Sequence, residues 1–244
     1  MAHQQNTKSY DLVFCVIFPE YNFLIWVIYV TRFIFVRHGQ SPGNLEAKFY
    51  GHTDKGLTDL GKKQAELTAK FLKDYKIDAA YSSDLGRAFE TGLEIAKLHK
   101  NLKVIPEKGL REVNSGKWEN LEFAKIGEMY AEDYKVWMND LWNACPTGGE
   151  SVKQMCKRVT ETIWRIAKEN DGKTVLITTH ATPIRVLNCE WSNVPYENLN
   201  KVPWVKNASV SVVDYDVDNS KTNIVVLGDA SFHGEFATEL PTNI

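Results

Sequence analysis

The chain is poor in the features that mark several classes of protein. Its 244 residues carry 29 lysines and arginines against 31 aspartates and glutamates, a net charge of −2, so nothing supports nucleic-acid binding. No internal repeat or low-complexity tract is present. Cysteine is scarce, and no C-x-x-C spacing supports a zinc or redox motif. Scattered cysteines are typical of reduced thiols, so we expect a cytoplasmic protein. The four are Cys15, Cys145, Cys156 and Cys189.

A long uninterrupted apolar run is also absent. The runs Leu12–Phe18 and Phe23–Val30 are separated by Pro19-Glu20-Tyr21-Asn22, whereas a membrane-spanning helix needs about 20 successive apolar residues. No basic region precedes the runs, which argues against a secretory signal. Residues 1–30 therefore have three interpretations: a membrane anchor, an extra strand or hairpin packed on the domain, or a segment foreign to the functional unit. We do not expect membrane association.

Strand and helix patterns alternate along the rest of the chain. This alternation predicts an α/β fold, a three-layer sandwich with a mostly parallel central sheet flanked by helices on both faces. We expect one domain over residues 31–230, and a C-terminal tail over 231–244 that is disordered from Phe232. The predicted strands are Thr31–Val36, Ile77–Tyr81, Lys103–Ile105, Thr174–Thr178, Ala208–Tyr215 and Asn223–Leu227.

The predicted helices differ in how strongly the sequence marks them. The first, over 58–75, has Leu60, Leu67 and Phe71 on one face. The next covers 85–98, and the aromatic-rich stretch 121–143 is helical, either core or a lid over a pocket. Ser151 caps an amphipathic helix that ends near residue 171. Thr182 as N-cap, with Pro183 as the first helical residue, predicts one more helix.

The first predicted strand ends in a group of reactive side chains. Four apolar residues, Phe33–Val36, run directly into Arg37-His38-Gly39, and open α/β sheets bind ligands at the carboxyl ends of their strands. Arg37 has a fork of donors suited to phosphate or carboxylate. His38 has an imidazole that can act as nucleophile, base or ligand. By itself such a histidine is more often structural.

Three other positions bear on this group. His180 follows the strand Thr174–Thr178, the same structural position as His38, and can face the same anion. Arg87 lies in the first turn of its helix, where the macrodipole favours an anion; either an anion binds there or Arg87 is a solvated surface residue. The irregular segment 40–56 is long enough to be a functional loop. Glu112 alone is indistinguishable from a surface carboxylate.

Six blocks in order resemble the histidine phosphatase superfamily, which has the phosphoglycerate mutase-like fold. The blocks cover roughly 31–230. They are Arg37-His38-Gly39-Gln40-Ser41-x-x-Asn44, Gly51-His52-Thr53-Asp54 with Gly61-x-x-Gln64-Ala65, Ser82-Ser83-Asp84-Leu85-x-Arg87-Ala88, Leu110-x-Glu112-x-x-x-Gly116-x-Trp118-Glu119, Gly148-Gly149-Glu150-Ser151, and the strand ending in His180.

The resemblance implies a phosphatase that hydrolyses phosphomonoesters of small metabolites through phosphohistidine on His38. Glu112 would act as general acid and then as base. The expected catalytic residues are Arg37, His38, Arg87, Glu112 and His180, and the expected substrate-binding residues are Arg37, Asn44, Tyr50, Gly51, Arg87 and Ala181. Because two arginines would take the place of a metal, we expect no metal and no cofactor.

Departures from the family pattern favour a phosphatase over a mutase. Gly43 stands where mutases often have an aromatic residue, and the segment after His180 lacks the long extension of true mutases. Ala181 replaces a common glycine and could narrow the approach of phosphate. A mutase and a non-catalytic phospho-ligand binding module remain as alternatives, although retention of all five reactive positions argues against the latter. The sequence does not distinguish between sugar phosphates, phosphoserine and a cobalamin-precursor phosphate as the substrate. It does not indicate an oligomeric state.

Overall fold

The computed structural model describes residues 30–239, and strands and helices alternate through this range. The 3-10 helices are Lys108–Leu110, Gly116–Trp118, Leu141–Asn143, Tyr196–Lys201 and Ser231–Phe236. The strands and α-helices are β1 Thr31–Arg37, α1 Pro42–Leu45, α2 Asp59–Leu72, β2 Ala79–Ser82, α3 Gly86–Ala96, β3 Val104–Pro106, α4 Phe123–Met129, α5 Ala131–Asn139, α6 Val152–Glu169, β4 Thr174–Thr179, α7 Ala181–Trp191, β5 Val210–Asp216 and β6 Lys221–Asp229.

The strands that the structure describes form one sheet in the order β3-β2-β4-β1-β5-β6. β2 runs parallel to β3 and β4, and β4 runs parallel to β1, whereas β5 is antiparallel to both β1 and β6. β1 therefore lies between two partners and has helices over both faces. This position explains why Phe33–Val36 is continuously apolar instead of alternating. The mostly parallel α/β sheet predicted from the sequence is confirmed.

The sheet separates two apolar cores. Phe33 and Phe35 of β1 lie in the core that α6 and α7 cover, whereas Ile34 and Val36 lie in the core covered by α2 and α3. Successive side chains of a strand point to opposite faces, so one short strand contributes to both cores. The three predicted layers follow from this arrangement.

Helix α2 buries a different face from the predicted one. Leu60, Leu67 and Phe71 are only partly buried, and Phe71 stacks on Phe232 with ring centroids 4.2 Å apart. Except for Leu72, the buried residues are small or polar, and at Gly61 the helix lies so close to the loop after β1 that a larger side chain has no room. They are Gly61, Gln64, Ala65, Thr68, Ala69 and Leu72.

The predicted disorder from Phe232 onward is wrong for the described part of the tail. Residues 231–236 form a 3-10 helix against α2, and His233 is 1% exposed, with its Nε2 3.1 Å from the Thr68 hydroxyl. Residues 1–29 and 240–244 lie outside the described range, so the interpretations of the N-terminal segment stay predictions. Within residues 30–239, no helix combines the length and apolar character needed to span a membrane.

The contact between α2 and the loop after β1 gives a testable prediction. A Cβ on Gly61 would lie 2.0 Å from the Gln40 carbonyl oxygen, so the Gly61→Ala variant must shift backbone. We expect the free energy of unfolding to fall by about 1 to 3 kcal/mol, measured by urea denaturation.

Gly127→Ala in α4 is the matched control. There the new Cβ meets only the Tyr134 ring, at 3.2 Å, and alanine favours the helix by up to about 1 kcal/mol. Equal stability changes in the two variants would show that the close approach at Gly61 has no energetic consequence.

Candidate active site

The parallel pairing of β1 with β4 brings the two histidines together. Arg37 and Thr179 are register partners, and the His38 amide donates to the Thr179 carbonyl at 2.9 Å. His38 and His180, each one residue further, therefore meet at the same edge of the sheet, with ring centroids 5.1 Å apart. The strand register thus places the two histidines at equivalent positions, as we expected from the ends of the two predicted strands.

His38 is held as a neutral imidazole of one tautomer. Its Nδ1 donates to the Gly39 carbonyl at 2.7 Å, which leaves Nε2 with a free lone pair. The side chain is buried, and burial together with the charges of Arg87 and Arg37 holds the pKa of His38 well below its usual value. The imidazole is thus unprotonated at the nitrogen that can attack.

Arg87 is fixed beneath the site and is not a solvated surface residue. It is 1% exposed, and its guanidinium donates to the carbonyl oxygens of Tyr50, Gly51 and Thr53 at 3.0, 2.9 and 2.8 Å. Burial lowers the pKa of Arg87, while the nearby carboxylate of Glu112 acts in the opposite direction. The alternative of a surface arginine is therefore wrong.

Arg37 supplies a second buried cation beside His38. Its Nη1 donates to the Val205 carbonyl at 2.7 Å, and its buried Nε has no hydrogen-bond partner within the described chain. Burial, together with the charge of Arg87, lowers the pKa of Arg37 to about 10, although Glu112 opposes the shift. Two guanidiniums with unused donors next to a nucleophilic nitrogen suit a phosphoryl group.

His180 is positioned by the hydroxyl of Ser83. The Ser83 hydroxyl accepts from the Leu85 amide at 3.3 Å and lies 2.8 Å from His180 Nε2. The hydroxyl proton can be donated to Nε2 while the oxygen accepts from Leu85, and in that arrangement the ring proton of His180 is on Nδ1. Nδ1 is buried without a partner among residues 30–239, so a bound anion can receive its hydrogen bond.

Glu112 lies at the N-terminus of α7. One carboxylate oxygen accepts from the Val113 amide at 2.9 Å and the other from the Thr182 amide at 3.3 Å. The helix begins at Ala181 with His180 as its N-cap, so the predicted start at Thr182 and Pro183 is wrong by two residues. Proline is tolerated anywhere in the first turn, since none of those amides has an acceptor within the helix.

Arg37, His38, Arg87 and Glu112 line one cleft, whereas His180 is fully buried and is not among the lining residues. Of the expected substrate-binding residues, Asn44, Tyr50 and Ala181 line it, but Gly51 does not. The Gly51 carbonyl supports Arg87, and a Cβ at Gly51 would lie 2.4 Å from the Val113 carbonyl oxygen. The residues that line the cleft are Arg37, His38, Ser41, Gly43, Asn44, Lys48, Phe49, Tyr50, Arg87, Glu112, Phe123, Trp137, Ala181, Thr182 and Trp204.

The outer part of the cleft contains residues that sequence reasoning missed. Phe123 and Trp137 belong to the aromatic stretch expected to be core with some lid contribution, and they line the cleft from α4 and α5. Lys48, Phe49 and Trp204 come from irregular segments without periodicity, where no sequence signal marked them.

Comparison with known proteins identifies the family. The model of the histidine phosphatase superfamily, branch 1, matches residues 33–229. The chain belongs to the histidine phosphatase superfamily. Phosphoserine phosphatase 1 of Hydrogenobacter thermophilus is 33% identical over 214 residues, which cover 86% of this chain and 98% of that protein. The metal-independent phosphoserine phosphatase of Arabidopsis thaliana is 33% identical over 75% of this chain and 76% of its own.

Relatives with other names and solved structures extend the comparison. Phosphoglycerate mutase-like protein 4 of Arabidopsis thaliana is 35% identical over 82% of this chain and 86% of its own. Among solved structures, Bacillus stearothermophilus YhfR has a TM-score of 0.78 at 27% identity and covers 83% of this histidine phosphatase and 98% of its own chain. The predicted family, fold and class of activity, phosphomonoester hydrolysis, are confirmed.

The protonation state of His38 can be tested directly. Because its pKa lies well below the usual value, we expect Nε2 to stay unprotonated as the pH falls from about 8 to about 6. Nitrogen-15 NMR of labelled histidine measures this. In the Arg87→Met variant the midpoint should rise, since one neighbouring positive charge is lost. A native midpoint near that of a free imidazole would contradict the assignment.

The same shift has a consequence for stability. His38 and His180 both bind a proton less readily in the folded chain than in the unfolded one. The free energy of unfolding therefore falls as the pH drops below about 6.5, the pKa of a histidine in the unfolded chain, because the unfolded state then binds protons that the folded state does not.

Proposed function

We propose that this histidine phosphatase hydrolyses phosphomonoesters of small metabolites through a phosphohistidine intermediate on His38. The observation that carries the proposal is the locked tautomer of a buried, neutral His38, whose Nε2 shares the cleft with two buried guanidiniums. The names of the relatives support the reaction class. The cytoplasmic location expected from the cysteines is part of the proposal, and the three described cysteines are free thiols.

In the first step, the lone pair of His38 Nε2 attacks phosphorus in line with the ester oxygen. An N–P bond forms, the P–O bond to the leaving group breaks, and Glu112 in its protonated form donates a proton to the leaving oxygen. Arg37 and Arg87, with the Nδ1 hydrogen of His180, receive the charge on the phosphoryl oxygens. Phosphoryl transfer depends chiefly on such positioning and charge stabilisation.

In the second step, water attacks the phosphohistidine. The Glu112 carboxylate accepts the proton of the attacking water, a new P–O bond forms, and the N–P bond breaks. His38 returns to its neutral tautomer and inorganic phosphate is released. Glu112 can serve both steps because its amide contacts hold one carboxylate orientation beside the cleft.

Replacement of the nucleophile tests this mechanism. The His38→Ala variant should lose phosphatase activity on p-nitrophenyl phosphate and incorporate no 32P from labelled substrate, because no other cleft side chain replaces Nε2. Circular dichroism should show the native fold.

His99→Ala is the control, since His99 lies in the turn after α3 and outside the cleft. It should retain both activity and labelling. Unchanged turnover in His38→Ala would contradict the mechanism. Turnover by the native enzyme without any 32P labelling would favour direct attack by water.

The outer cleft supports a preference among small metabolites. Its walls are the aromatic rings of Phe49, Phe123 and Trp137, and Lys48 is a cation there beyond the phosphoryl group. Lys48 pairs with Glu46 at 2.6 Å, and both side chains are partly exposed at 26% and 42%. Such a surface pair contributes little to stability because solvent screens it, so a substrate carboxylate can compete for the ammonium. Leaving groups that carry a carboxylate, as in phosphoserine and phosphoglycerate, are therefore favoured.

Neutralisation of Lys48 tests this preference. In the Lys48→Met variant, KM for phosphoserine and 3-phosphoglycerate should rise about tenfold, as expected for the loss of one charge-assisted contact of roughly 1.4 kcal/mol. KM for p-nitrophenyl phosphate, which has no carboxylate, should hardly change.

Lys62→Met is the matched control, because Lys62 on α2 also pairs with a carboxylate, that of Asp59, and lies outside the cleft. Equal KM changes for charged and neutral leaving groups would refute a carboxylate contact without affecting the phosphohistidine mechanism.

A further inference from the structure

We infer that Asn207 is a positioning residue that aims the amide of Asn44 at the phosphoryl group, and that the C-terminal segment 231–239 supports it through Thr238. The inference rests on the proposed function, because it assigns Asn44 a partner in phosphate binding. Asn207 lies between α7 and β5 in an irregular stretch, does not line the cleft, and is 5% exposed.

Both ends of the Asn207 amide are occupied. Its Nδ2 donates to the His38 carbonyl at 3.1 Å and to Asn44 Oδ1 at 3.2 Å, and its Oδ1 accepts from the Thr238 hydroxyl at 3.1 Å. A reversed amide would direct its oxygen at two other oxygens. The two acceptors therefore determine the orientation of Asn207, and Thr238 satisfies its remaining atom.

Asn207 is one of three donors that determine which end of the Asn44 amide faces the cleft. Asn44 Oδ1 accepts from Asn207 Nδ2 and from the backbone and hydroxyl of Ser41, both at 3.1 Å. With its oxygen used by these donors, Asn44 has Nδ2 left, and no described residue accepts from it. Since Asn44 lines the cleft beside His38, two N–H donors are available to phosphoryl oxygens.

The C-terminal segment reaches the same loop by a second route. Gln64 of α2 donates to the Phe236 carbonyl at 2.8 Å and accepts from the Gln40 amide at 2.9 Å. Thr68, one turn further along α2, donates to the Ala208 carbonyl at 2.8 Å and contacts His233. Phe236 and His233 lie beyond residue 229, where the family match ends. Residues 231–239 thus brace the loop that carries His38 and Asn44.

The Asn207→Asp variant tests the inference with no change in side-chain size. One oxygen of the new carboxylate would stay on the Thr238 hydroxyl, and the other would replace Nδ2 and face the His38 carbonyl and Asn44 Oδ1. Repulsion between the oxygens then favours an Asn44 amide that is turned over, with its oxygen toward the phosphate. We expect kcat/KM for p-nitrophenyl phosphate to fall about 100-fold, and the affinity for inorganic phosphate to fall by a similar factor.

A double-mutant cycle separates positioning from general damage. In an Asn44→Ala background, Asn207→Asp should reduce kcat/KM less than about threefold, because the group through which it acts is gone. Asn170→Asp is the control. Asn170 is equally buried and donates to a backbone carbonyl, that of Ile166, at the opposite end of the sheet. It should leave kcat/KM unchanged.

Thr238 provides a second variant should Asn207→Asp fail to fold. Thr238→Val should lower kcat/KM about threefold to tenfold through loss of one hydrogen bond, and Thr238→Ser should restore it. Native kcat/KM in both Asn207→Asp and Thr238→Val, or an undiminished loss in the Asn44→Ala background, would overturn the inference. If the native protein hydrolyses no phosphomonoester, the proposed function fails, and the affinity for inorganic phosphate, by calorimetry, still decides the role of Asn207.

Discussion

The site depends on keeping two positive charges out of water next to a neutral histidine. Arg37 and Arg87 are both buried, and removing an ion from water costs several kcal/mol when nothing compensates for it. Glu112 is the one carboxylate close to both guanidiniums among the described residues that perturb them. Asp54 and Glu119 act on Arg87 as well, and backbone carbonyls accept hydrogen bonds from both guanidiniums. Both guanidiniums line the cleft, where the proposed phosphoryl group would bring further negative charge to them.

The need for carbonyl acceptors around Arg87 constrains the conformation of the loop that contains residues 50–53. Arg87 needs the chain over 50–53 to turn its oxygens inward, and Glu119 holds that chain by accepting from the amides of His52 and Thr53 and from the Thr53 hydroxyl, at 2.7, 2.9 and 2.6 Å. Burial acts to raise the pKa of Glu119, but these hydrogen bonds keep it below the usual value. A carboxylate that does not line the cleft thereby orients the oxygens that hold Arg87, the proposed substrate-binding arginine.

The sequence alone was sufficient to predict the positions of those site residues that lie at the ends of regular strands. Phe33–Val36 and Thr174–Thr178 are recognisable as buried strands, so the proximity of His38 and His180 follows from parallel pairing. The resemblance to the family added Glu112, which has no local signal of its own. The buried face of α2 was missed because, apart from Leu72, it consists of small and polar residues, and part of it packs against a loop whose position no helical periodicity encodes.

The two ends of the cleft differ in what determines them. At the phosphoryl end, strand termini and helix N-termini fix the reacting groups, and these elements are set by hydrophobic patterns that a single sequence displays. At the outer end, Lys48 and Trp204 come from irregular chain whose course depends on long-range contacts, such as those of Arg185 with the Val202 carbonyl and the Trp204 ring. The same sheet can therefore carry one phosphoryl-transfer chemistry while the loops alter the leaving group it accepts, which is why the reaction was easier to infer here than the substrate.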